Sequence, residues 1–363
     1  GGNYNEFWAV SMRLELGATQ LHLSIGEWVN DGLMAIFFFV VGLEIKREVV
    51  DGELSDRRTA ALPVAAALGG MIVPALIFAM LNLTGGGGRG WGIPMATDIA
   101  FAVGVLALLG TRVPLSLKLF LLALAIVDDI GAIAVIAIFY TEDLSLAWLG
   151  GAIAVFAMAG ALALLRVRIL AAYLALAAVA WLAVHESGVH ATIAGVIMAM
   201  LIPTDHSASE GDATVLDRLE HILHPWSSYL IVPLFALANA GVDLGGGAVG
   251  DAATSRGSIG VSIGLIAGKP VGITLFALAA VTGGVATLPR GVRWAQILGA
   301  GMIAGIGFTV SIFISELAFT DPALIDEAKI GVLAGSVLAG IAGYAALRVV
   351  SHSDLGMEDA AAA

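Results

Sequence analysis

Apolar and polar positions divide the chain into long apolar runs separated by short polar or glycine-rich breaks. Eleven runs of 15 to 26 residues fall near 31–46, 60–81, 91–110, 115–140, 147–165, 169–184, 188–202, 218–241, 258–280, 294–316 and 327–349. A stretch of about 20 apolar residues matches the length an α-helix needs to cross a bilayer. The pattern therefore predicts an all-α polytopic membrane protein. The N-terminal segment reads differently. Met12, Leu14 and Leu16 alternate with Ser11, Arg13 and Glu15, and Leu21, Leu23 and Ile25 alternate with Gln20, His22 and Ser24. Period two on either side of Gly17-Ala18-Thr19 predicts a β-hairpin. An isolated hairpin is marginal in water, so this one is expected to pack on its own helices or to pair with a second copy.

Two runs are interrupted. Gly92-Ile93-Pro94-Met95-Ala96-Thr97-Asp98 breaks an apolar stretch that resumes as 99–109, and Thr and Asp are residues that start helices. Gly299, Gly301, Gly305 and Gly307 crowd the run 297–314, with Thr309 and Ser311 following. Irregular backbone survives at membrane depth only where protein or a watery cavity surrounds it, and broken helices at matching positions of two repeats point to a transport site. The stretches 60–140 and 258–349 are expected to be inverted three-helix repeats, each with its broken helix in the middle. Glycine-mediated packing of continuous helices is the alternative for the second run.

Composition fixes the class. Of 363 residues, 59% are hydrophobic and 13% charged, against about 25% charged in soluble domains. With no cysteine, disulfides and thiolate metal sites are excluded. A net charge of −12 argues against nucleic acid as a partner. Twelve basic residues lie in alternate loops: Lys46, Arg47, Arg57, Arg58, Arg112, Lys118, Arg166, Arg168, Arg218, Arg290, Arg293 and Arg348. The opposite loops hold four, Arg13, Arg89, Arg256 and Lys329. The bias places the first set in the cytoplasm. It predicts an external segment 1–30, a transporter domain 31–350 and a cytoplasmic tail 351–363. An external residue 1 without an initiator Met is expected to follow a further transmembrane helix upstream.

Four charged residues fall in the interior of apolar runs, away from the run ends: Asp98, Asp128, Asp129 and Lys269. A charge at the bilayer centre costs about 2.5–3.5 kcal/mol on insertion scales and normally marks an ion or proton pathway. Helical neighbours point about 100° apart, so Asp128 and Asp129 cannot both face one small ion. One is expected to face the ion with help from Asp98. The other is free to turn to another partner, and Lys269 is the cation available within a run. Carboxylates are hard oxygen ligands for hard cations and also bind protons, so the two compete. Competition at one site with alternating access gives exchange.

A second polar layer lies at the cytoplasmic ends. Glu44, Lys46, Arg47 and Glu48 end the first run, and Glu220, His221 and His224 open the eighth. Glu220 and His224 are four apart and share a helix face. Histidine titrates near physiological pH, so the layer is a candidate pH sensor; solvated helix ends are the alternative. His185 and His190 flank a short outer loop, where His190 is expected to orient backbone.

Ala96-Thr97-Asp98-Ile99-Ala100-Phe101, Ala125-Ile126-Val127-Asp128-Asp129-Ile130-Gly131-Ala132, Gly268-Lys269-Pro270, Gly305-Ile306-Gly307-Phe308-Thr309, Leu219-Glu220-His221 and Ser187-Gly188-Val189-His190-Ala191-Thr192 together resemble the bacterial NhaA family of sodium/proton antiporters. The resemblance runs over essentially the whole chain. That family is itself one of the examples behind the inverted-repeat rule used above. The resemblance implies electrogenic exchange of internal Na⁺ or Li⁺ for external H⁺, regulated by pH, in the bacterial inner membrane, without a cofactor. It implies Asp128 and Asp129 as the cation and proton site, Thr97 and Asp98 at the broken-helix crossing beside Gly305 and Gly307, and Lys269 as charge compensation. Glu44, Arg47, Glu48, Glu220, His221 and His224 map onto a pH-response region, and the hairpin onto a homodimer contact. Two other classes fit buried acids less well. An intramembrane aspartyl protease needs two facing carboxylates; adjacent Asp128 and Asp129 do not provide them, Asp98 with Asp129 is the pair left for that role, and the Gly-x-Gly-Asp pattern is absent. A passive sodium channel would lack proton-coupled, saturable exchange.

Overall fold

The computed structural model describes residues 2–16, 19–83, 86–141, 144–204, 214–242 and 248–362. The chain is mostly helical and divides into two compact units. One unit comprises Gly1–Arg47 and Val135–Gly241, the other Glu48–Ala134 and Val242–Ala363.

In the first unit, strands Ser11–Leu16 and Thr19–Ser24 pair antiparallel with Met12 opposite Leu23 and Arg13 opposite His22. The expected turn at 17–18 lies outside the described residues. Ser24 and Glu27 form a capping box that starts the next helical turn. A π-helical segment, Trp28–Leu33, then leads into helix Met34–Val50. A short helix, Gly2–Trp8, precedes the hairpin. Helices Met34–Val50 and Thr192–Leu201 meet through small residues. A Cβ on Gly42 would stand 2.7 Å from the Ala199 Cβ, and one on Gly195 would stand 2.2 Å from the Ala35 carbonyl oxygen. Phe39, Leu43, Tyr173, Met198 and Leu219 fill the core around them.

In the second unit, helix Arg57–Leu81 starts on Asp56, whose carboxyl is held below its ordinary value by the hydroxyl and then the backbone N–H of Thr59. This helix touches helix Lys269–Thr282 backbone to backbone. A Cβ on Gly69 would fall 2.2 Å from the Gly272 oxygen, and one on Gly272 would fall 2.1 Å from the Gly69 oxygen. Both expected breaks are present. The first is an extended stretch, 96–98, between a 3₁₀ helix, Gly86–Met95, and helix Ile99–Leu109. The segment before this break is 3₁₀ and not α, since Gly86, Gly87, Gly88, Gly90 and Gly92 disfavour the α form. The second is Gly305-Ile306-Gly307, which separates Trp294–Ala304 from Phe308–Ala318 with a 50° bend. Each broken span lies between two long helices in sequence: Arg57–Leu81 and Leu115–Phe139 for the first, Lys269–Thr282 and Pro322–Ala362 for the second.

Among the described residues, six helices are long and apolar enough to cross a membrane, and the bent pair makes a seventh. The other four expected runs also fall on helical segments but are short or interrupted. Leu170–His185 and Thr192–Leu201 are short, while 31–46 and 218–241 contain π-helical turns at Trp28–Leu33 and Ser227–Ile231. A third π turn, Gly264–Gly268, directly precedes Lys269. Pro233 and Pro270 lie just beyond the last two of these turns. Each lacks the N–H that would have closed the preceding α turn, so the backbone widens there.

Candidate cation and proton site

Asp98 joins the two breaks of the second unit. Its Oδ1 accepts from the Phe101 N–H at 3.1 Å and caps its own half-helix. Its Oδ2 accepts from the Thr309 N–H at 3.1 Å and the Thr309 hydroxyl at 2.5 Å, and so caps the half-helix of the other break. A carboxylate suits both positions because helix N-termini carry positive dipole ends. The crossing is tied further by backbone. The Asp98 N–H donates to the Ile306 carbonyl at 2.6 Å, the Thr97 hydroxyl to the Ala304 carbonyl at 2.9 Å, and the Ser311 hydroxyl to the Ile93 carbonyl at 2.7 Å. These bonds satisfy carbonyls that the broken helices cannot pair internally. Gly307 permits the approach, since a Cβ there would meet the Ala96 oxygen at 3.1 Å and the Ser311 hydroxyl oxygen at 2.2 Å.

The buried acids and the lysine lie in this same unit. Lys269 Nζ donates to Asp128 Oδ2 at 2.6 Å and to the Thr97 hydroxyl at 2.8 Å, with no exposure of either charged side chain. Thr97 thus links the lysine to the crossing, accepting from Nζ and donating to Ala304. The other oxygen of Asp128, Oδ1, is buried with no hydrogen-bond partner among the described residues. Asp129 is 3% exposed, and its charge acts on Lys269. The site therefore assembles two adjacent carboxylates, one ammonium, a threonine hydroxyl and a capping carboxylate, all buried. Such a set can exchange protons for a hard cation on carboxylate oxygens.

The residues of the expected pH-response region lie on two helices, Met34–Val50 and Val215–Trp226. In the first unit Arg47 bonds Glu220, and His224 Nε2 stands 3.6 Å from Glu44 Oε1, an ion-pair distance and not a hydrogen bond. Helix Val215–Trp226 carries Glu220 inward and His224 outward, and His221 is exposed. Lys46 caps the end of helix Thr192–Leu201, donating to the carbonyls of Met200, at 2.8 Å, and Ile202. Glu48 belongs to the second unit, where it accepts from the Glu53 N–H at 3.1 Å. At the outer loop His190 Nε2 donates to the Tyr140 carbonyl at 2.7 Å.

Three features escaped the sequence reading. Ser336 accepts from the Gly307 and Phe308 N–H groups at 3.2 and 3.1 Å; its only signal was a hydroxyl in an apolar run. The sequence places Thr309 beside the glycines but does not reveal it as a donor to Asp98. In the first unit Asp31 gathers Trp181 Nε1, which donates to its carbonyl at 3.0 Å, and His185 Nδ1, 3.6 Å from Oδ2. There the rings of Trp28, Trp181 and His185 stack with centroids 5.7 and 5.6 Å apart.

Comparison with known proteins agrees over nearly the whole chain. A family described as Na⁺/H⁺ antiporter 1 matches residues 1–347. Curated proteins of Salmonella paratyphi B, Citrobacter koseri and Escherichia coli, each named Na(+)/H(+) antiporter NhaA, are 51% identical to the chain over 96% of its length and 89% of their own. With the two broken helices, the intramembrane acids and this match in hand, the chain belongs to the Na⁺/H⁺ antiporter 1 family, the family of NhaA.

Proposed function

We propose that the chain exchanges cytoplasmic Na⁺, or Li⁺, for external H⁺ electrogenically and by alternating access, with Asp128 and Asp129 as the carboxylates for which cation and protons compete. Na⁺/H⁺ antiport itself follows from the family, and makes the chain a multi-pass secondary transporter and not an enzyme. The observation that carries the site assignment is Asp128: one oxygen is held by Lys269 and the other is buried without a hydrogen-bond partner among the described residues. A buried carboxylate oxygen in that state gains most from a proton or a cation.

The chemistry runs on this chain's own groups. With the site open to the cytoplasm, Na⁺ takes carboxylate oxygens and the protons leave. With the site open to the outside, protons neutralise the carboxylates and the cation leaves. Two titratable carboxylates serving one monovalent cation let more charge move one way than the other, which supports electrogenic exchange. Protonating Asp128 weakens its attraction to Lys269, so loading state and helix position are coupled through that pair. Thr97 and Asp98 hold the crossing in register beside it. The Glu44, Arg47, Glu48, Glu220, His221 and His224 region is assigned to pH regulation, and the hairpin in the external segment 1–30 to contact with a second copy. The bias of basic residues supports an inner-membrane protein with 351–363 on the cytoplasmic side.

The test follows internal pH in proteoliposomes as Na⁺, Li⁺ and K⁺ are added in turn, with and without an imposed potential. Na⁺ and Li⁺ should move protons at a potential-dependent rate. Asp129→Asn should abolish the response in folded, reconstituted protein. Exchange near the wild-type rate in that variant would overturn the site assignment.

A further inference from the structure

The first backbone N–H groups of a helix have no partner inside it. Half-helix Phe308–Ala318 starts at Gly307, which has no side chain to serve as a cap. Two side chains from elsewhere divide the task. Ser336 Oγ accepts from Gly307 and Phe308, and Asp98 Oδ2 accepts from Thr309. A hydroxyl oxygen has two acceptor sites, so Ser336 uses both. Ser336 is 6% exposed. It opens a stripe of small residues on Pro322–Ala362, with Ala339, Gly340 and Gly343 three, four and seven positions on. Those residues seat the second broken span: a Cβ on Gly305 would lie 3.0 Å from Ala339 Cβ, one on Gly340 3.3 Å from Ile306 Cδ1, and one on Gly343 2.6 Å from Ile303 Cγ1. The last helix therefore both cradles the break and caps the half-helix beyond it.

We propose that Ser336 is a positioning residue for the cation site, acting through Asp98. By taking the N–H groups of Gly307 and Phe308 at the start of helix Phe308–Ala318, it lets Asp98 hold that helix with one oxygen instead of being drawn fully onto it. The two half-helices differ here: Ile99–Leu109 has its side-chain cap from Asp98 Oδ1, whereas Phe308–Ala318 keeps Ser336 when Oδ2 turns away. Oδ2 is thus the oxygen that turns to an arriving cation, and Ser336 keeps the helix start capped while it does. Without Ser336, the Gly307 and Phe308 N–H groups compete with the cation for Oδ2.

The inference rests on Asp98 assisting a cation at Asp128 and Asp129, and the experiment separates the two. Na⁺-dependent proton movement is measured in proteoliposomes across a Na⁺ series. Ser336→Ala should raise the half-saturating Na⁺ concentration about fivefold, the equivalent of one net hydrogen bond, with a much smaller change in maximal rate. Ser336→Thr, which restores the hydroxyl, should return it to the wild-type value. In an Asp98→Asn background, Ser336→Ala should produce no further shift. An unchanged half-saturation, or an equal shift in the Asp98→Asn background, overturns the proposal. If Ser336→Ala yields too little folded protein, Ser336→Cys keeps the size with a weaker acceptor and must show the shift; a wild-type value there overturns it as well. If Asp129→Asn also exchanges normally, the failure belongs to the site assignment. If Asp129→Asn is inactive while Ser336→Ala is unaltered, it belongs to Ser336 alone.

Discussion

The crossing in the second unit and the charged layer in the first hold their charges in opposite ways. At the crossing, Asp98, Asp128 and Lys269 are 0–2% exposed, and their bonds are 2.5–3.1 Å long. In the layer, the side chain of His224 is 55% exposed and stands 3.6 Å from Glu44, while the side chain of Arg47 is 42% exposed beside Glu220. Water reaches the basic partner of each pair in the layer, while Glu220 and Glu44 are only 12% and 19% exposed; neither side chain of the Lys269–Asp128 pair is exposed. A dry carboxylate must be neutralised by a bond, a proton or a cation, so its occupancy is forced to change during transport. A wet ion pair is worth about 0–1 kcal/mol and falls with salt, so it can tune a cycle but cannot drive one.

That contrast breaks first at Asp129. Asp129→Asn should reduce Na⁺-dependent proton movement to the level of protein-free vesicles, because an amide does not trade a proton for a cation near neutral pH. Asp128→Asn should be nearly as damaging. Retained exchange in either folded variant would make the crossing no different in kind from the layer.

Lys269 comes next. Removing one partner of a buried ion pair costs about 3–5 kcal/mol, so Lys269→Ala should lower the melting temperature clearly. An unpaired buried carboxylate favours its neutral form, so cation exchange should require a more alkaline pH than in wild type. Lys269→Arg keeps the charge but does not titrate. Full electrogenic exchange in the arginine variant makes Lys269 a fixed counter-charge; loss of charge movement with retained stability makes it a proton carrier. A Lys269→Ala protein unchanged in both stability and pH response would remove both roles.

Asp98→Asn should be milder. The amide oxygen still accepts from one helix start, so the fold should hold while the half-saturating Na⁺ concentration rises roughly tenfold. An effect as large as that of Asp129→Asn would make Asp98 a direct carrier of the exchanged proton.

The smallest effects belong to the layer. Glu220→Gln or His224→Gln should move the pH profile of exchange by no more than about half a pH unit and leave the maximal rate nearly unchanged, with the displacement shrinking in high salt. A lower rate on an unmoved profile would assign the pH dependence to competition at the carboxylates alone.

Much of this contrast was legible in the sequence. The apolar runs, the hairpin period and the break at Asp98 are local patterns, and each corresponds to an element of the structure. The intramembrane acids announce themselves by the cost of burying them. The tertiary bookkeeping was less visible. That Asp98 caps two helices at once depends on Thr309 lying beside it, 211 residues away in sequence. Ser336 is one hydroxyl among several in apolar runs until Gly307 is seen to need a cap. The 3₁₀ form of Gly86–Met95 and the π turns are small departures from α geometry, set by glycine content, missing proline donors and packing. The pairing of Arg47 with Glu220, 173 residues apart in sequence, could not be read from helix-face spacing, which reports neighbours on one helix and not those on another.

The π turn at Gly264–Gly268 sets the rotational phase of helix Lys269–Thr282. In a π turn the chain carries one residue more than the α-helix needs, and each residue turns an α-helix by about 100°. The insertion therefore fixes which way Lys269 points relative to Arg256–Ile263 on the other side. Closing residues 264–268 into regular α turns at unchanged length would give a more regular helix by local criteria, yet it would swing the ammonium by about a quarter of a turn from Asp128 and Thr97. At this position, the width of one turn is the heading of the lysine.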